Sequence, residues 1–114
     1  MSVLKKICEL KLKEIQFLKE KKKLKLTSKK TRGFLKKLIK PKKDYFNVIA
    51  EIKRSSPSKG VICKNFNLEK IATDYEAAGV KCISVLTENN YFGGDISFIN
   101  TVKKVIKIPV LRKD

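Results

Sequence analysis

Apolar residues recur with two different periods along the 114-residue chain, and the changes of period mark out its elements. From Ser2 to about Lys23, Val3, Ile7, Leu10 and Phe17 fall on one helical stripe. Leu4, Cys8, Ile15 and Leu18 fall on the next, and lysines occupy the opposite side. This spacing predicts an amphipathic helix. A basic, polar connector follows over 21–30, with Thr27 and Ser28. A short helix is expected near Thr31–Ile39, with Phe34, Leu35, Leu38 and Ile39 as its buried side. Pro41 ends it, and Lys40–Asp44 reads as a linker.

At Val48 the pattern changes. Val48, Ile49, Ala50 and Ile52 are apolar, and three of them are β-branched, which predicts a strand at about 48–53. Ser55, Ser56, Pro57, Ser58 and Gly60 crowd its exit as a turn, and 61–66 reads as a loop. Asn67 is placed to cap a helix in which Leu68, Ile71, Ala72, Tyr75 and Ala78 share one face, with Gly79 just past its end. Cys82–Leu86 is a nearly continuous apolar run, as expected of a buried parallel strand. Thr87–Gly94 is its exit loop, and Asp95 could cap a helix that buries Phe98, Ile99, Val102 and Val105. A third strand is expected at about 109–113, with Pro109 at its start, where proline is tolerated. The order helix–helix–β–α–β–α–β predicts three adjacent parallel strands with both connecting helices on one side. The pattern alone does not separate a barrel from a doubly wound sheet.

Composition is that of a globular protein, 42% hydrophobic with nine aromatic residues and no Trp. No apolar run reaches the roughly 18 residues of a membrane span, and Met1–Glu20 lacks the continuous apolar core of a signal peptide. A cytoplasmic protein with no membrane partner is expected. Cys8, Cys63 and Cys82 are odd in number and widely spaced, and the chain has no His, which argues against a zinc site and a disulfide framework.

The net charge of +17 raises nucleic acid as a partner, but its distribution weakens that reading. Residues 1–45 hold 17 basic and 4 acidic residues, whereas 46–114 hold 11 and 7. Only Arg32, Arg54 and Arg112 are arginines, the usual choice for bidentate phosphate or base recognition. A lysine-coated helix is usually a solvated face. A small basic nucleic-acid-binding protein is therefore the alternative reading, and no specific nucleic acid is the expectation.

Candidate chemistry gathers after the first strand. Glu51 and Lys53 are two apart, so they share a strand face just before the turn. They read either as a site at the strand's end or as a solvent-facing ion pair. The stretch AEIKRSSPSKG (50–60), followed in order by SVLTENNYFGG (84–94) and IPVLRKD (108–114), resembles the indole-3-glycerol phosphate synthase family. The resemblance runs from about Val48 to Asp114, and more loosely over the N-terminal helices.

The resemblance implies the first three parallel strands of a (β/α)8 TIM barrel, truncated in or just after the third strand. Residues 1–45 would be the family's N-terminal helical extension and 46–114 the barrel portion. The extension's first helix would dock its apolar face on the barrel. In such barrels the active site lies at the C-terminal ends of the strands. By resemblance, Glu51, Lys53 and Lys113 are catalytic, and their side chains should face the barrel interior, with Arg112 turned toward the helices. Ser56, Ser58 and Phe92 are candidate substrate contacts; the serines could equally shape the turn, and Phe92 could equally pack on the rim. Gly93-Gly94 lacks the spacing of a phosphate-binding fingerprint and would turn the chain into Asp95.

The implied activity is that of a lyase of tryptophan biosynthesis. It would close the indole ring of 1-(2-carboxyphenylamino)-1-deoxyribulose 5-phosphate, with loss of carbon dioxide and water. That phosphorylated, anthranilate-derived molecule is the expected small-molecule partner, and no cofactor or metal is called for. Glu51 beside Lys53 suits Lys53 to gripping an anion and Lys113 to delivering a proton. The three strands alone would leave the inward faces of Ile52, Val85 and Leu111 without the opposing half of the core. A chain of these 114 residues by itself is expected to be inactive, and a complementary C-terminal barrel portion is its expected partner.

Overall fold

A computed structural model of the protein describes residues 2–21, 29–39 and 46–114. Most of the expected connector, at 22–28, and the linker with Pro41, at 40–45, lie outside the described residues. The chain forms two compact units, Met1–Lys30 and Thr31–Asp114.

The first unit carries helix α1, Val3–Glu20. Ser2 starts it: its hydroxyl accepts from the Lys5 N–H at 3.2 Å, satisfying one donor of the open first turn. At the other end the Lys21 ammonium sits 4.1 Å from the centre of the Phe17 ring, a cation–π contact between neighbouring turns. No helix among the described residues is long and apolar enough to cross a membrane.

The second unit runs α2 (Phe34–Ile39), β1 (Ile49–Ile52), β2 (Ser55–Ser56), β3 (Gly60–Val61), α3 (Leu68–Ala77), β4 (Cys82–Leu86), α4 (Ser97–Val105) and β5 (Val110–Lys113). Strands β1, β4 and β5 form one parallel sheet with β4 in the middle. Ile52 pairs with Val85, and Val85 with Arg112; Glu51 pairs with Ser84, and Ser84 with Leu111. Two consecutive β-α-β units thus lie side by side, as the alternation of periods predicts. The sheet is open: among the described residues β1 and β5 each pair only with β4.

Helices α3 and α4 pack against each other and against the sheet. Their junction is the core, in which Ile52, Ile83 and Val85 of the sheet meet Ala72 of α3 and Val102 and Ile106 of α4 and its exit. Each fully buried Ile or Val contributes about 1.5–3 kcal/mol through removal from water. Asn67 caps α3, its side chain accepting from Lys70 N–H at 3.0 Å, and Gly79 takes a left-handed φ of 87° beyond the helix end. The N-cap of α4 is Ile96 rather than the expected Asp95, which lies one residue earlier and accepts from the Ser97 N–H at 2.8 Å. The Asp95 carboxyl is held below the usual range, first by that serine's side chain and then by its backbone.

Two further sequence expectations are corrected. Ile52 and Val85 do not face a barrel interior; they pack on the helices. Alternation along a strand requires this once Glu51 and Ser84 take the other face, and Leu111, in register with Ser84, lies with them. Helix α2 does not bury all four expected residues: Phe34 and Leu38 are half-buried, while Leu35 and Ile39 are exposed. Contact with β4 uses one narrow stripe of a six-residue helix.

The segment after β1 is also more ordered than a plain loop. β2 and β3 pair antiparallel, with Ser55 opposite Val61 and Ser56 opposite Gly60. Three side chains then fasten the unit away from the sheet ladder. Arg32 donates to the carbonyls of Ile106 (2.7 Å), Ile108 (3.2 Å) and Lys103 (2.9 Å), so its guanidinium caps the C-terminal end of α4. Glu76 accepts from the N–H groups of Lys107 and Ile108 just before β5. Tyr75 donates its hydroxyl to the Glu51 carbonyl at 3.2 Å, tying α3 to the end of β1.

Candidate active site

The C-terminal ends of β1 and β5 converge on one carboxylate. Glu51 is the third residue of β1, and Lys53 is the first beyond that strand's end. Lys113 is the last residue of β5. The Lys113 ammonium donates to Glu51 Oε2 at 2.6 Å, and the Lys53 ammonium lies 3.1 Å from Glu51 Oε1. Both carboxylate oxygens therefore face a cation, each cation coming from a different strand end.

Register explains how Lys113 reaches. β1 and β5 are separated by β4, a span of two strand spacings of about 4.8 Å each. Lys113 pairs with Leu86 and Glu51 with Ser84, so all four side chains share one sheet face. The small Ser84 side chain stands between Glu51 and Leu111 in that register and leaves the extended Lys113 arm a path across β4. Ser84 and Leu86 are buried beneath this cluster, whereas Lys113 keeps about half of its side chain in solvent.

The charges act on Glu51 in a definite order. The hydrogen bond from Lys113 does most to hold its carboxyl below the ordinary value; partial burial pushes the other way, and Lys53 adds a smaller lowering. The carboxylate is ionised and doubly paired, and the trio keeps a surplus of one positive charge. Such a cluster at an open strand end can receive an anion, and the ammonium next to the carboxylate can pass a proton.

Backbone anchors hold the Lys113 end in place. The Thr87 N–H donates to the Lys113 carbonyl at 2.8 Å, extending the ladder one residue beyond β4. The Thr87 hydroxyl accepts from Arg112 Nε at 3.3 Å and donates to Asp114 at 3.2 Å. Arg112 shares the sheet face of Val85, opposite to Lys113.

The other candidates lie in the flanking loops. Ser56 Oγ accepts from the Lys59 N–H at 3.3 Å and stands 3.5 Å from Ser58 Oγ, so these hydroxyls shape the turn between β2 and β3. Phe92 is half-buried, with its carbonyl accepting from the Ser55 N–H at 3.2 Å. The structure thus brings Glu51, Lys53 and Lys113 together, and places Ser56 and Phe92 on two loops that touch each other. A cleft of about 330 Å³ beside β1 is lined in part by Glu51, Lys53, Cys63 and Tyr75.

Sequence reasoning missed the part of Glu88. It is 4% exposed, and its carboxylate accepts from the N–H groups of Asn90, Tyr91 and Phe92. Glu is not among the short side chains that commonly bond neighbouring backbone, so the residue type alone gives no signal of it. Cys82 is buried with its thiol directed at the Phe34 carbonyl, and burial raises its pKa.

The sequence model of one family, described as indole-3-glycerol phosphate synthase, matches residues 4–114. Curated relatives of that description include one from Endomicrobium trichonymphae, 52% identical over 68 residues, covering 60% of this chain and 26% of the relative. One from Campylobacter fetus is 49% identical over 78 residues, covering 68% of this chain and 30% of the relative. One from Aliarcobacter butzleri is 40% identical over 101 residues, covering 89% of this chain and 38% of the relative. The chain spans between about a quarter and two fifths of the length of these relatives.

Proposed function

The chain belongs to the indole-3-glycerol phosphate synthase family, and on that premise we propose that it supplies the first three strands of a TIM-barrel lyase of tryptophan biosynthesis, acting in the cytoplasm. The reaction is the ring closure of 1-(2-carboxyphenylamino)-1-deoxyribulose 5-phosphate to indole-3-glycerol phosphate, with release of carbon dioxide and water. Residues 46–114 form the barrel portion and 1–45 its helical extension. The observation that carries the proposal is the Lys113–Glu51–Lys53 cluster at 2.6 and 3.1 Å, at the strand ends where such barrels hold their chemistry.

Each group has a task in that chemistry. As the aromatic ring carbon attacks the ketone carbon, the ketone oxygen gathers negative charge, and the Lys113 ammonium gives it a proton. Lys53 holds the carboxylate of the substrate until it leaves as carbon dioxide. Glu51, ionised and in contact with both ammonium groups, accepts the proton that the ring carbon next to the nitrogen gives up and passes it to Lys113, replacing the one spent on the ketone oxygen, while the hydroxyl leaves as water with a proton taken from solvent. Phe92 flanks the aromatic ring, and Ser56 and Ser58 offer hydroxyls at the mouth.

A polypeptide of these 114 residues alone does not turn over. A barrel of this type takes roughly 250 residues, and its phosphate site is built by loops after the seventh and eighth strands. The open edges of β1 and β5 are where the complementary strands pair. The test is to supply the substrate to the chain with and without a C-terminal barrel portion from a relative and to follow indole absorbance. Absorbance growth only in the combined sample supports the proposal; none in either sample overturns the assigned activity.

A further inference from the structure

Glu88 is the one buried charged side chain among the described residues, and the chemistry above leaves it unused. Its Oε1 accepts from Asn90 N–H at 2.9 Å, and its Oε2 accepts from Tyr91 at 2.7 Å and Phe92 at 3.2 Å. Three consecutive amides of the loop after β4 thus close on one carboxylate. That loop in turn touches the segment after β1, because the Phe92 carbonyl accepts from the Ser55 N–H at 3.2 Å. Gly93 follows with a left-handed φ of 61°, and a Cβ there would stand 2.9 Å from Ser55 Oγ.

We propose that Glu88 is a positioning residue that locks the loop after β4 to the loop after β1, so that Phe92 and Ser56 meet the substrate as one wall. The link runs from the carboxylate through the Phe92 peptide to Ser55, and from Ser55 through the β2–β3 pairing to the turn that holds Ser56 and Ser58. A buried carboxylate is suited to this, since an ionised acceptor bonds amides more strongly than a neutral one and has two oxygens to share among three donors. An amide side chain offers only one acceptor oxygen and would turn an NH2 group toward amides that need an acceptor. The proposal rests on the function assigned above only for what the wall touches; the lock itself is independent of it.

Amide hydrogen exchange on the full chain tests the lock. In Glu88→Gln, exchange at Asn90, Tyr91 and Phe92 rises about tenfold, the loss expected for one net hydrogen bond. Ser55, which does not touch Glu88, rises with them, while Lys81 and Ile83, bonded to the carbonyls of Val48 and Pro109, keep their protection. An unchanged Ser55 rate beside faster 90–92 rates overturns the coupling. Should Glu88→Gln unfold the chain, Gly93→Ala carries the test from the other side: Ser55 exchange rises while Asn90 and Tyr91 stay protected, and an unmoved Ser55 overturns it.

The kinetic arm uses the completed, active barrel. Glu88→Gln raises KM about tenfold with kcat within about twofold, because a displaced wall weakens grip without touching the proton donor. A fall in kcat alone with unchanged KM signals a merely smaller folded fraction and overturns the proposal. Absent turnover in the wild-type control strikes the assigned function instead, and the exchange result still decides the lock.

Discussion

Lys113 and Glu51 sit on strands that do not pair, yet their charged atoms are 2.6 Å apart across the intervening β4. An ion pair of that span joins both edges of the sheet above Ser84 and Leu86, and it leaves Lys53 as the looser partner of the same carboxylate at 3.1 Å.

The two lysines should fail differently when removed. In the completed barrel, Lys113→Ala lowers kcat by about 10²–10⁴-fold with a smaller change in KM, since a proton donor acts chiefly in the transition state. Lys53→Ala lowers kcat and raises KM together. Steady-state kinetics on the two variants checks this, and an unchanged kcat in Lys113→Ala removes that residue from the proton transfer.

The cluster should also weaken in acid. Glu51 has a folded-state pKa lowered below its ordinary value of 4.5. The folded state therefore binds fewer protons than the unfolded state around that pH. The stabilisation is fully present above the unfolded value and is lost as pH falls through the lowered folded value. With the side chains partly in solvent, salt screens part of the effect. Carboxyl NMR titration of Glu51 should give a midpoint that rises in Lys113→Ala, and rises less in Lys53→Ala, following the order of the two hydrogen bonds.

Two glycines should differ in how they tolerate alanine. A Cβ on Gly94 would stand 2.3 Å from the Leu86 carbonyl oxygen, against backbone that cannot move aside, so Gly94→Ala should cost about 1–3 kcal/mol or more. Gly60 has open space around it and only its φ of 63° to resist a side chain, at about 1–2 kcal/mol. Urea midpoints on both variants rank them.

Arg32 should matter far beyond its place in the chain. Arg32→Ala leaves the carbonyls of Lys103 and Ile106 at the end of α4, and of Ile108 before β5, without their charged donor, and should destabilise the second unit by about 1.5–3 kcal/mol. Arg32→Lys should recover little, because one ammonium does not reproduce a planar fork reaching three oxygens. Thermal or urea unfolding of the three proteins measures it.

Much of the fold was legible because it is written locally. The apolar face from Leu68 to Ala78, capped by Asn67 and stopped by Gly79, is a helix in the sequence and in the structure. The continuous run Cys82–Leu86 is buried on both faces, as the central strand of a parallel sheet must be. The motifs around Glu51, Lys53 and Lys113 were equally plain as residue types at strand ends.

What the sequence could not decide was which residues meet. Whether Ile52 and Val85 or Glu51 and Ser84 face the helices depends on parity, and a shift of one residue exchanges the two faces; packing against Ala72 and Val102 settles it. The contact between Lys113 and Glu51 needs the register of β1, β4 and β5, in which residues 62 apart come to one face of the sheet, a single side-chain step apart along it. Arg32 reaching Ile106 and Glu88 gathering the amides that set Phe92 against Ser55 are likewise products of chain folding. Periodicity and caps are properties of neighbours in the chain, so the sequence determined the elements; contacts between distant residues form only when those elements pack, so the tertiary structure decided the site.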